Sequence, residues 1–190
     1  MEEQSLDNKK TAKEIRDWVI ALSIAIIAAL LIRTYLFVPV LVDGDSMMPT
    51  LNDKSRMIVN KIGYSIGEPK RGDIVVFHAP DGRDYIKRVI GLPGDSIEFK
   101  NDVLTINGKK VVEPYLNKYK NQVETGTLTE DFTLENLFGI KRIPENEYWL
   151  MGDNRRWSKD SREIGPIKRD KIVGKTSLVF WPMSECRFVK

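Results

Sequence analysis

The stretch DIVVFHAPDGRDYIKRVIGLPGDSIEFKNDVLTING, residues 73–108, decides the fold. It contains the short apolar runs Asp73–Phe77, Tyr85–Ile90, Ser96–Phe99 and Val103–Ile106, each of strand length. Turn signals separate them: Ala79-Pro80-Asp81-Gly82, then Asn101-Asp102, then Asn107-Gly108. Outward from this stretch, Met57–Val59, Tyr148–Met151 and Lys175–Trp181 continue the pattern, and Lys109–Val112 can pair back across the Asn107-Gly108 turn. Helical periodicity is weak from Asp43 onward; only Phe132–Phe138 suggests a short helix. The expectation is a mainly β, mostly antiparallel domain. Residues 114–144 are polar and poorly periodic, and read as an insertion or long loop region of little core value.

The N-terminal part has a different character. Trp18–Ile32, WVIALSIAIIAALLI, is 15 residues without a charge, and spans only ~22 Å as a helix. After Arg33 and Thr34 the apolar run resumes, and Trp18–Val38 is 21 residues, about 31 Å, enough to cross a hydrocarbon core. Arg33 sits near the far end, where its head can snorkel, and Trp18 and Tyr35 suit the two interfaces. Two alternatives compete with a membrane anchor. A cleaved secretory signal would need a small-x-small site, which Leu36–Val42 lacks. A buried helix would not need apolar residues on every face. Lys9, Lys10, Lys13 and Arg16 precede the run, and no Lys or Arg stands between Thr34 and Asp53. By the positive-inside rule this places a tail, residues 1–17, in the cytosol and a domain, residues 39–190, outside. The expected organisation is therefore a cytosolic tail, a single-pass transmembrane helix over 18–38 in the cell membrane, and an extracytoplasmic β domain.

Composition narrows the chemistry. The 190 residues carry 42% apolar and 30% charged side chains, which supports a packed core of about one domain with an appendage. A net charge of +3 is too small to indicate nucleic acid as a partner. One cysteine, Cys186, excludes an internal disulfide and a cysteine-cluster zinc site, and one histidine, His78, leaves little for a histidine-based metal site.

Ser46 lies in Asp43-Gly44-Asp45-Ser46-Met47-Met48-Pro49-Thr50, between a flexible glycine and a rigid proline. Taken alone it reads as a turn hydroxyl bonding its own backbone; as a nucleophile it would need a base. His78 is one candidate base, although a histidine at a strand end before a turn is more often solvated. Lys87 is a better one. Strand alternation in YIKRVI puts Tyr85, Lys87 and Val89 on one face and Ile86, Arg88 and Ile90 on the other. If one face packs on a core, one of the two cations loses its water. Arg88 would stay charged, whereas a buried Lys87 can become a neutral amine and accept a proton. The plain alternative is an exposed strand with snorkelling stems. The loop Gly152-Asp153-Asn154-Arg155-Arg156-Trp157-Ser158-Lys159-Asp160-Ser161-Arg162 is dense in polar groups that can hold such an amine. Taken alone it reads as a structural turn, and its interleaved cations argue against a calcium site at Asp153 and Asp160.

These pieces resemble bacterial type I signal peptidases, in the single-anchor form of Gram-positive bacteria. The matching blocks run in the family's order: Gly44–Leu51 (GDSMMPTL), Lys70–Phe77 (KRGDIVVF), Asp84–Asp95 (DYIKRVIGLPGD), Gly152–Arg162 (GDNRRWSKDSR) and Ile172–Lys175 (IVGK). The resemblance implies the family's β-rich catalytic core and a serine endopeptidase with a Ser/Lys dyad. Ser46 would be the nucleophile and Lys87 the general base. Ser158 would orient the amine, with Asp160 as the supporting acid and Arg162 as its partner. The Ser46 backbone N–H would form part of the oxyanion hole. Some members complete that hole with a serine two residues before the nucleophile; here Gly44 stands in its place, so the second donor falls to the Gly44 region, backbone or water. The implied partners are exported preproteins bearing signal peptides and the lipid bilayer, with no metal or cofactor. The rival readings are a self-cleaving repressor-like protease, for which 17 leading residues are too short a DNA-binding part, and a non-catalytic anchored scaffold for exported chains.

Overall fold

The structure, a computed structural model, describes residues 2–31, 37–61 and 67–189. It divides into two units, residues 1–38 and 39–190. In the first, helix α1 runs Glu2–Leu31. The expected span over 18–38 includes residues 32–36, which lie outside the described residues, and among the described residues no helix is long and apolar enough to cross a membrane.

The second unit is built of antiparallel strands. Its larger sheet has the order β1 (Phe37–Leu41), β2 (Arg56–Asn60), β11 (Ile172–Trp181), β3 (Ile74–His78), β4 (Asp84–Gly91), β9 (Glu147–Met151), β10 (Ile167–Lys168), with β12 (Arg187–Phe188) paired to β11. A smaller sheet has the order β7 (Lys109–Val111), β6 (Val103–Ile106), β5 (Ile97–Lys100), β8 (Phe132–Thr133). Each apolar run read from residues 73–108 is a strand here. The two Asn-containing turns close the hairpins β5–β6 and β6–β7. Asn101, Asp102, Asn107 and Gly108 have φ of 49°, 61°, 51° and 75°, the left-handed region that two-residue hairpin turns of this twist demand. Short helices α2 (Asn117–Lys120), α3 (Leu134–Phe138) and α4 (Ser161–Ile164) decorate the connections. The expected helix over 132–138 is the two-residue strand β8 followed by α3, because Thr133 turns from β8 into the α3 N-cap and accepts from the Asn136 N–H.

Both faces of the larger sheet are covered. Val75, Phe77, Val89, Tyr148 and Leu150 point into one apolar cluster. The alternate residues enter two others: Ile74 joins Met47, Leu51 and Met57, and Ile90, Trp149 and Met151 join Phe99, Leu104, Phe132 and Leu134. Residues 114–144 are therefore not marginal to the core. Leu116, Phe132, Leu134 and Ile143 are all buried. The polar surroundings of these residues hid their spacing, which follows contacts across sheets rather than any local period.

Candidate active site

Ser46 stands in a turn clamped from several sides. Met47 and Leu51 are buried anchors, and the Leu51 N–H donates to the Met47 carbonyl at 2.9 Å. From the loop 152–162, the Asn154 N–H donates to the Ser46 carbonyl at 3.0 Å and Asn154 Nδ2 to the Asp45 carbonyl at 3.1 Å. The Gly44 N–H donates to Asp53 Oδ1 at 2.8 Å, so that amide is already engaged. No acceptor among the described residues takes the Ser46 N–H.

Lys87 meets this turn from the middle of β4. Its Nζ lies 2.7 Å from Ser46 Oγ and donates to the Ile86 carbonyl at 3.0 Å. The side chain is buried, and burial pushes its amine down to about 8. Asp160 and Asp153 pull in the opposite direction, while Arg162 adds to the lowering. Expectation and structure differ on the strand's two faces. One cation was expected to lose its water, and both do, because both faces of β4 are covered. Arg88 keeps its charge by pairing with Asp153, Nε to Oδ1 at 2.8 Å and Nη2 to Oδ2 at 2.7 Å, and by donating to the Gly72 carbonyl at 2.8 Å. This ion pair occupies both carboxylate oxygens of Asp153.

The loop after β9 supports the pair from below. Asp160 is fully buried and accepts the Gly152 N–H at 3.0 Å, Arg162 Nε at 2.9 Å and Arg162 Nη2 at 2.8 Å, while its Oδ1 caps α4. Ser158 Oγ is buried and has no hydrogen-bond partner among the described residues, so no bond to Lys87 is made in this state. It packs on Gly152, where a Cβ would come within 2.1 Å of Ser158 Oγ and 2.5 Å of the Ser46 carbonyl oxygen. Gly152 thus lets strand end, loop and the Ser46 turn meet. Arg155, not singled out from the sequence, is buried too: it pairs with Glu113, donates to Thr129 Oγ1 at 3.2 Å and to the Gly152 carbonyl at 3.1 Å. Two arginines beside an aspartate in GDNRR were the only local sign of these buried pairs, and their acidic partner Glu113 is remote in sequence. His78 is at the exposed end of β3, with Nδ1 2.6 Å from Asp84 Oδ1, and makes no hydrogen bond to Ser46.

Ser46 and Lys87 open onto a cleft of about 300 Å³ that residues 40–44 and 83–87 help to line. A hydroxyl touching a desolvated amine at such a cleft can act as an activated nucleophile toward an acyl group.

Residues 15–181 match the family described as "Signal peptidase, peptidase S26". The chain is 47% identical to "Signal peptidase I" of Bacillus caldolyticus over 180 residues, covering 95% of this chain and 98% of that protein. It is 43% identical to "Signal peptidase IB" of Staphylococcus aureus (strain MRSA252) over 180 residues, 93% of this chain and 94% of that one. The crystal structure of a signal peptidase I from Enterococcus faecalis V583 superposes with a TM-score of 0.56 at 41% identity, over 58% of this chain and 97% of that chain.

Proposed function

The chain belongs to the signal peptidase family, peptidase S26, the type I signal peptidases that cleave signal peptides from preproteins, and from that premise we propose that Ser46 and Lys87 are the dyad that performs the cleavage. Neutral Lys87 takes the proton of Ser46 Oγ as the oxygen attacks the scissile carbonyl carbon. The Ser46 N–H stabilises the oxyanion that forms. Collapse of the tetrahedral species breaks the peptide C–N bond, and the Lys87 ammonium returns its proton to the departing amine. The acyl ester on Ser46 is then hydrolysed by a water that Lys87 deprotonates, releasing the signal peptide as its carboxylate and restoring the hydroxyl. Asp160, Arg162 and Ser158 hold the amine's surroundings, and Ser158 Oγ is a free partner for the ammonium once it forms.

The observation that carries this reading is the 2.7 Å contact between a buried amine and the Ser46 hydroxyl. The N-terminal unit serves as the membrane anchor, cytosolic at its basic start, which keeps the site near membrane-held substrates. Precursor processing by the purified protein tests the dyad. Ser46→Ala and Lys87→Ala should each lower the rate by about three orders of magnitude or more, with His78→Ala retaining most of it. Retained processing in Ser46→Ala would favour a non-catalytic scaffold, and a loss in His78→Ala with activity kept in Lys87→Ala would return His78 to the mechanism.

A further inference from the structure

Tyr85 stands two residues before Lys87 on β4, on the same face of the strand. Its ring centroid is 5.2 Å from Lys87 Nζ and forms part of the wall of the cleft that holds Ser46. Tyr85 also lines a second cavity of about 270 Å³, which shares Tyr85 and Lys159 with the first and whose other walls include Ala79, Pro80 and Ile164. Packing alone does not fix such a ring: Phe77 meets it edge-on at 5.9 Å, and a cavity of that volume has room for a phenol side chain. The hydroxyl fixes it. Tyr85 Oη donates to Asp81 Oδ2 at 2.6 Å and accepts from Arg83 Nη2 at 3.1 Å. Asp81, on the turn between β3 and β4, is itself held by Arg83 Nη2 at 2.7 Å and Nε at 3.2 Å, with Lys159 Nζ at 4.0 Å. The Tyr85 bond, followed by Arg83, keeps the Asp81 carboxyl well below the usual carboxylate range, so the acceptor stays ionised at any working pH.

We propose that Asp81 is a positioning residue for substrate selection: by accepting the Tyr85 hydroxyl it holds that ring as a fixed wall shared by the catalytic cleft and the second cavity, and so sets the size limit on the substrate side chain next to the bond that is cut. The inference rests on Ser46 and Lys87 being the catalytic pair, because the ring borders the amine that touches the attacking oxygen. With the latch gone, the ring can move into the second cavity and a larger side chain can enter beside Ser46. A wall displaced by one ring is the kind of change that alters discrimination by one to two orders of magnitude.

The experiment uses the full-length protein and a series of peptides differing only in the residue before the cleavage site: Ala, Val, Leu or Phe. The ratio of kcat/KM for the Ala peptide to that for the Leu peptide is the readout. Asp81→Ala and Tyr85→Phe, which removes only the hydroxyl, should each shrink this ratio about tenfold, with the gain for Leu carried by a lower KM. The double variant should shrink it no further than Tyr85→Phe alone, because that change already removes both bonds of the hydroxyl, to Asp81 and from Arg83. A ratio that stays at the wild-type value, or that shifts through kcat alone, overturns the latch while leaving the dyad standing. A wild-type protein that cuts none of the series overturns the dyad reading and this inference with it.

Discussion

Lys87 is folded against its own solvation. At neutral pH the folded protein must keep an amine, lowered to about 8 from 10.5, in a place that disfavours its charge. The sign of the pH dependence follows. On the proposed mechanism, the amine protonated below about 8 cannot take the Ser46 proton, and above it the base is free. Processing at subsaturating substrate should therefore rise through a midpoint near 8, as measured by a pH profile of kcat/KM, and a flat profile between 6 and 9 would sink the lysine base. The same shift bears on stability. The unfolded chain binds a proton on this lysine that the folded chain releases between about 8 and 10.5, so Lys87 makes the protein more stable as pH rises through that window. Replacing it with an apolar side chain of similar length removes the burden. Lys87→Met should abolish cleavage yet raise stability at pH 7 by on the order of 1–3 kcal/mol. Denaturant titrations at pH 7 and pH 10 check this, with the gain shrinking at the higher pH.

At the scale of elements, β4 is the strand on which the site depends, because it is buried on both faces and carries a cation on each. Lys87 on one face is left without an anionic hydrogen-bond partner, whereas Arg88 on the other is fully matched by Asp153. Breaking that match leaves a buried guanidinium uncompensated, and Asp153→Ala should cost about 3–5 kcal/mol in urea unfolding. The approach of β9 to the Ser46 turn depends on Gly152 having no side chain. In Gly152→Ala the new methyl meets the Ser46 carbonyl oxygen, a backbone atom that cannot step aside cheaply. The expected result is about 1–3 kcal/mol of destabilisation, and a fall in kcat/KM of about 100-fold or more from displacement of Ser46. A variant with wild-type kinetics would mean that loop and turn are less tightly joined than they look.

For the whole molecule, the tethering role proposed above falls to the first of its two units, residues 1–38 and 39–190. If the first unit supplies only local concentration, a chain starting at Phe37 should cut a soluble peptide nearly as fast as the full chain. It should lose at least tenfold on a precursor embedded in vesicles. Equal rates on both substrates would deny the N-terminal unit its tethering role.

The sequence by itself determined the antiparallel strands from 73 to 108, because alternation and turn chemistry are local properties that need no distant partner to be read. It also brought forward Ser46, Lys87, Ser158, Asp160 and Arg162 through ordered blocks that resemble one family. Tertiary structure alone decided that residues 114–144 feed the core, that Arg88 is buried as deeply as Lys87, and that Arg155 finds Glu113. It alone placed the amine against the hydroxyl, forty-one residues away in sequence. Burial and ion pairing arise where strands remote in the chain stack face to face, and no local pattern records which side chains lie opposite.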